Sequence, residues 1–302
     1  MNIRSLLVIL LALPSVYAAE LKPETLAAWD QYIQAANSHM QERLRSKDRF
    51  LWLDEAPGLI SQLKGGEIVV SPAGRHSPKK VPNGLIHDWI GAAFIPSANL
   101  AEIFAVVQDF NRYKDFYAPL VVASKPLGQD GPDYRFSMVL LNRSLFSKTA
   151  LDCECVSSYF PLGSKRWYGV GYSTSIRQIQ DFSLPTQHEL PPDVGSGYIW
   201  RLYSLSQFEE RDGGVYVEVE AIALSRDIPA AARWFVDPIV RRLSRGSLLT
   251  SLQQTRTAVT ATALATSGGG KTLAVSGDTC DPSQTCGHPS GIALEGLKSF
   301  HH

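Results

Sequence analysis

The residues able to do chemistry in this chain are scattered, and their spacing argues against most catalytic sites. His87-Asp88 and His188-Glu189 each set an imidazole beside a carboxylate. Adjacent residues on a strand point to opposite faces, so neither pair can act together. The second pair also sits among prolines, and His188 has only its residue type to mark it as a base. Gly171-Tyr172-Ser173-Thr174-Ser175 lacks the second glycine of a nucleophile elbow and lies inside a strand pattern. No P-loop, dinucleotide fingerprint or zinc spacing occurs. The seven histidines form no ligand set, so no metal or other cofactor is expected. Cys153 and Cys155 are two apart, hence on one face of a strand. A bridge would distort that strand, so buried free thiols are expected. Cys280 and Cys286 lie in a polar Gly/Ser/Thr stretch, where a local disulfide suits an oxidising compartment.

Two arginines are sharper candidates. Arg143 ends one strand, and Arg201 lies inside another beside Trp200 and Tyr203. In a pocket an arginine holds a carboxylate or phosphate through two parallel hydrogen bonds. On a surface it pairs with a glutamate instead. Trp167, Tyr168, Trp200 and Tyr203 could line a pocket mouth or form cross-strand pairs on an outer face. Both readings stay open. The 29 Lys and Arg residues balance 29 Asp and Glu. No long-range field therefore argues for nucleic acid or an anionic membrane as partner.

The elements that position these residues follow from periodicity. Arg4, the apolar run Leu6 to Leu13 and Val16-Tyr17-Ala18 read as a signal peptide cut after Ala18. The apolar run is too short for a hydrocarbon layer of about 30 Å. Export to the periplasm or the extracellular space is expected. Pro23 to Arg45 is a helix, with Leu26, Trp29, Ile33, Ala36, Met40 and Leu44 on one stripe. Phe50 to Leu53 and Glu67 to Val70 are short apolar runs that suggest strands, and residues 71–83 read as linker. His87 to Ile95 is a strand ended by Pro96. Asn99 to Asp109 and Arg112 to Phe116 are helical, the second stopped by Pro119.

Six strands follow: Val121 to Leu127, Tyr134 to Leu141, Lys148 to Tyr159, Arg166 to Ile179, Tyr198 to Glu209 and Val215 to Leu224. Short turns join them, so consecutive strands should pair antiparallel. Asp152 and Glu154, like Glu218 and Glu220, alternate with apolar residues, which predicts one wet face. A helix from Pro229 to about Val259 covers the other, with Asp237-Pro238 as a kink or restart. From Thr260 the composition predicts a disordered tail.

The order resembles the START-like superfamily (polyketide cyclase/dehydrase and lipid-transport proteins, SRPBCC) over Val81 to Val259. Phe104, Val107, Asp109, Tyr113, Phe116 and Pro119 carry the likeness, with Leu224 to Pro229 leading into Trp234, Val236 and Pro238. Gly84 to Trp89 and Gly197 to Tyr203 are similar to patterns of exported bacterial members. The resemblance implies an α+β helix-grip fold: a curved antiparallel sheet of about seven strands around a long C-terminal helix, with an N-terminal helical extension. The implied segments are 1–18 signal peptide, 19–80 extension, 81–259 ligand-binding domain and 260–302 tail. It implies a cavity between sheet and helix for a lipid, isoprenoid or polyketide-like molecule, with transient membrane contact for exchange. No catalytic residue carries over. By strand parity Phe136, Met138, Leu140, Leu151, Cys153, Val217 and Val219 should converge there with Val236, Val240 and Leu243 of the helix, and Trp200 and Arg201 join them as polar candidates. A binder is expected. A cyclase, dehydratase or hydrolase using the same cavity is the alternative, and an envelope interaction module is a third reading.

Overall fold

The structure, a computed structural model, describes residues 19–46, 48–74, 77–143, 148–228 and 233–268. A two-residue strand β1 (Ala19–Glu20) precedes helix α1 (Pro23–Arg45). Pro23 fixes the first helical turn of α1, Glu24 sits at its positive end, and Arg43 and Arg45 sit at its negative end. After α1 comes a 3₁₀ turn at Trp52–Glu55, where apolar spacing had suggested a strand. Asp54 makes the difference: its carboxylate accepts the Leu51 N–H and closes the turn.

The chain continues through α2 (Pro57–Lys64), β2 (Ile68–Pro72), β3 (Lys79–Val81), β4 (Gly84–Pro96), α3 (Leu100–Val107) and α4 (Tyr113–Phe116). Asn99 starts α3 with a reciprocal cap: Glu102 N–H donates to its side chain, and its own N–H donates to the Glu102 carboxylate. Next come β5 (Val121–Asp130), β6 (Asp133–Arg143), β7 (Lys148–Pro161), β8 (Arg166–Gln180), β9 (His188–Glu189), β10 (Val194–Gly195), β11 (Arg201–Arg211) and β12 (Gly214–Arg226). Helix α5 (Arg233–Gly268) ends the described chain and runs unbroken through Asp237-Pro238.

Ten strands form one antiparallel sheet in the order β2-β4-β12-β11-β8-β7-β6-β5, with β3 added to β4 and β9 to β8. This exceeds the seven expected. β2 and β3 come from the stretch read as extension and linker; the apolar run of β2 and the Lys-Lys-Val of β3 each pair with a partner further along the chain, β4. Residues 260–268, expected in a disordered tail, extend α5 instead. Val259 and Ala258 are buried against the sheet, which stabilises the turns that follow. Cys280 and Cys286 lie outside the described residues.

The sheet has two covered faces. α5 lies over one: Leu248, Leu252 and Val259 pack on Ala93, Ile95, Val215 and Val217. α1, the 3₁₀ turn and α2 cover the other: Trp29, Ala36 and Met40 pack on Ile86, Tyr168, Leu205, Ile222 and Leu224, and Phe50, Leu53 and Leu63 on Ala92, Phe94 and Tyr216. The wet face predicted at Glu218 and Glu220 is therefore dry. Glu218 is only 1% exposed. The acids have neutralising partners instead of water, with Arg43 of α1 lying 3.5 Å from Glu218 and 3.7 Å from Glu220. Alternation of acids and valines reads as a solvated face only where nothing packs on it.

Candidate functional site

The α5 face of the sheet is where the apolar candidates gather. Phe136, Leu151, Cys153 and Cys155 form a buried cluster with Ile176 and Phe110, and Met138, Leu140 and Leu202 pack on it partly exposed. Val217 is buried on the same face under α5, with Val219 partly exposed beside it. Val236, Val240 and Leu243 lie near the start of α5, and their side chains are outside the described residues. Cys153 and Cys155 are free and buried. Burial pushes the Cys155 thiol up to about 12 and Cys153 well above its ordinary value, which keeps both protonated and unreactive.

Trp200 and Arg201 do not join this group. Trp200 precedes β11 and is buried with Tyr168 and Tyr203 on the opposite face, under α1. Arg201 donates twice to Asp193, at 2.5 and 3.1 Å, and once to the Trp200 carbonyl. Its fork is occupied in holding the β10 loop, so a pocket role is corrected to a structural one. Of the four aromatic residues read as a mouth or an outer face, Trp167 alone packs on the α5 side. Arg143 is exposed at the end of β6. Asp152 and Glu154 alternate with Cys153 and Cys155, so they stand away from α5. There Asp152 accepts from Ser137 and Glu154 pairs with Arg177 at 3.2 Å.

α3 and α4 close one end of the space beside the sheet. Phe110 stacks on Phe136 with centroids 4.3 Å apart, and Tyr113 meets the same ring edge-on. The Tyr113 hydroxyl donates to the Val107 carbonyl at 2.6 Å, fixing the ring. Phe104 packs on Tyr159, Trp167 and Phe208.

The floor between these walls is low. Ser157, Gly171, Ser204, Ala221 and Trp89 stand opposite one another in a single row across five strands, β7, β8, β11, β12 and β4. Paired residues share a face, and Trp89 packs with Leu248 and Leu252, so the row faces α5. The four residues before Trp89 are glycine, alanine or serine. A Cβ added at Gly171 would come within 2.7 Å of the Ser204 hydroxyl. Ser157, Gly171, Ser204, Ala221, Val219 and Ser206 all keep partial exposure at the centre of a ten-stranded sheet. Their partial exposure means that the cover over these central strands is not close-packed at this row.

Two polar features border the floor. Trp89 is 7% exposed, and its indole Nε1 has no hydrogen-bond partner among the described residues. An orphan donor of this kind costs about 1–3 kcal/mol. Next to it on β4, His87 Nε2 lies 2.9 Å from the Ser225 hydroxyl, buried on the same side. Nothing in the sequence linked Trp89 or His87 to Ser204, Ser157 or Ser225. Their proximity depends on the register of β4 with β12, strands more than a hundred residues apart. The one sequence-level sign is β4 itself, which is apolar on both alternations, as a strand covered on both faces must be.

A sheet closed by a long C-terminal helix, with a helical pair across one end, is a helix-grip fold of the α+β class. No family model matches the chain, and no curated protein matches its sequence. Similar solved structures include TTHA0849 from Thermus thermophilus, at 14% identity and TM-score 0.40, covering 57% of this chain and 97% of that one. A STAR-related lipid transfer protein fragment from Xanthomonas axonopodis is 17% identical with TM-score 0.39, over 62% of this chain and 98% of the other. Human STARD10 is 10% identical with TM-score 0.41, over 70% and 81% respectively.

Proposed function

We propose that this protein binds and carries a hydrophobic small molecule, of lipid, isoprenoid or polyketide-like character, between the sheet and α5. The observation that carries this reading is the partly exposed floor of small residues beneath α5, walled by Phe110, Phe136, Tyr113 and Met138. Each buried CH₂ of a ligand there contributes about 0.8 kcal/mol, so an apolar chain or ring system is favoured over a polar one. The first eighteen residues support a site of action outside the cytoplasm, in the periplasm or beyond the cell. Solvent extraction of the purified protein followed by mass spectrometry should recover such a molecule. Ala221→Phe places a ring on the floor and is expected to lower ligand recovery about tenfold or more while the fold persists. Full recovery from that variant would move the ligand elsewhere.

A hydrolase is a second reading with one observation in its favour, the imidazole of His87 within hydrogen-bond reach of the Ser225 hydroxyl. It predicts that a serine-reactive fluorophosphonate labels the protein and that Ser225→Ala abolishes the label. An unlabelled wild-type protein removes this reading.

A further inference from the structure

The floor row has a second row beside it: Tyr159, Gly169, Ser206, Val219 and Gly91, opposite one another on β7, β8, β11, β12 and β4. A Cβ at Gly91 would meet Leu248 and Leu252 of α5, so this row also faces the helix. Both rows divide in the same way. Their β12 positions are apolar, Ala221 and Val219. Their β11 positions are Ser204 and Ser206, and their β8 positions are glycines. The glycines leave hydroxyls bordering unfilled positions. A Cβ on Gly171 would lie 2.7 Å from Ser204 Oγ and 3.2 Å from Ser157 Oγ, which come from the two flanking strands. A Cβ on Gly169 would lie 2.6 Å from Ser206 Oγ. Ser204 has one long contact, 3.5 Å to the Gly171 carbonyl. Ser157 lies near the Tyr159 hydroxyl, which itself donates to the Val107 carbonyl at 3.3 Å. All three serines are partly exposed. Ser157 Oγ and Ser206 Oγ have no hydrogen-bond partner at ordinary distance among the described residues, yet neither is sealed from solvent. Both therefore open onto the α5 side, and whatever lies there must meet them. A hydrocarbon would leave them unpaired.

We propose that the bound molecule is an alcohol or phenol, a mostly apolar body with a hydroxyl group on one edge, and that Ser157 and Ser204 hold this hydroxyl above Gly171. One serine donates to the ligand oxygen and the other accepts from the ligand O–H, a pairing that an ether or a ketone cannot complete. The apolar remainder lies toward Ala221 and Val219. This rests on the binding reading given above and adds the chemical class of the ligand. A site built to pair a hydroxyl discriminates against the analogue that lacks it, because its own polar groups are then left without partners.

Three probes with one ring system separate the cases: 2-naphthol, 2-methoxynaphthalene and naphthalene. Binding is measured by calorimetry on the wild-type protein and on the double variant Ser157→Ala/Ser204→Ala. The expected result is that all three bind wild type, with the naphthol about tenfold tighter than the other two. In the double variant that preference disappears while naphthalene affinity stays. A naphthol that binds wild type no more tightly than naphthalene overturns the proposal and leaves the apolar site intact. So does a methoxy probe that matches the naphthol, or a preference that survives in the double variant. Binding of no probe overturns the site and the hydroxyl pairing together. If the double variant does not fold, the wild-type affinities decide with the same outcomes.

Discussion

As pH rises from about 4.5 to about 7, the protein is expected to lose on the order of 3 kcal/mol of stability through Glu218 alone. Burial pushes this carboxyl up to about 7, and Arg43 and the N–H groups of Trp52 and Leu53 offset part of that rise. The unfolded chain releases the proton near the ordinary value, while the folded chain keeps it. Between the two values the native state binds more protons, so stability falls with rising pH and levels off above the folded value. Asp88 and Glu220 add to the same slope. Both are raised, first by burial; Glu220 further disfavours the charge of Asp88, while the hydrogen bond with Asp88 favours the charge of Glu220. The Tyr32 hydroxyl donates to Asp88 at 2.7 Å, and Arg43 and His39 favour the charged form of Glu220. Asp54 faces Glu218 from the 3₁₀ turn and opposes its ionisation.

These groups lie between the sheet and its cover of α1 and the 3₁₀ turn, so the slope measures how tightly that cover docks. Urea midpoints on either side of the window give it directly. Glu218→Gln keeps one acceptor oxygen, enough for the shorter bond from the Trp52 N–H, and removes the charge, so its stability should vary less with pH. A variant with the parental slope would show that the titrating group is another one.

Gly91→Leu is expected to cost about 3 kcal/mol or more. A Cβ at this position would meet Leu252 Cδ1 at 2.8 Å, Val70 Cγ2 at 3.0 Å and Leu248 Cδ2 at 3.2 Å. Leu248 and Leu252 are buried on α5, and Val70 is on β2, so the added side chain has nowhere to go unless helix and sheet separate. Gly74→Leu is the control, since nothing lies within 4 Å of a Cβ there. A thermal midpoint for Gly91→Leu equal to that of the control would mean that α5 does not rest on β4 as closely as described.

The sequence made the fold legible through local order. α1 has the bounds that its apolar stripe predicted, and β6, β7, β8 and β12 fall within two residues of the expected strands. Strand parity was enough to put Phe136, Met138, Leu140, Leu151, Cys153, Val217 and Val219 on one face. Parity within a strand is local information. What covers a face is not, so Glu218 and Glu220 read as solvated until α1 is seen on them. Trp200 misled for a related reason. It lies outside the regular strand, where alternation no longer tells which way a side chain points. The floor row was illegible because it is a property of register between strands. Trp89, Ala221, Ser204, Gly171 and Ser157 have no common spacing along the chain.

The α1 cover has a consequence for how the molecule can admit a guest. The strands are held from behind by a second core of Met40, Ile86, Tyr168, Leu205, Ile222 and Leu224, which owes nothing to α5. Shifting α5 to let an apolar molecule through would disturb Leu248, Leu252 and Val259 but leave that rear bracing in place. Rigidity and access for the proposed ligand thus fall on opposite sides of one sheet, and a shift of α5 leaves the rear core folded.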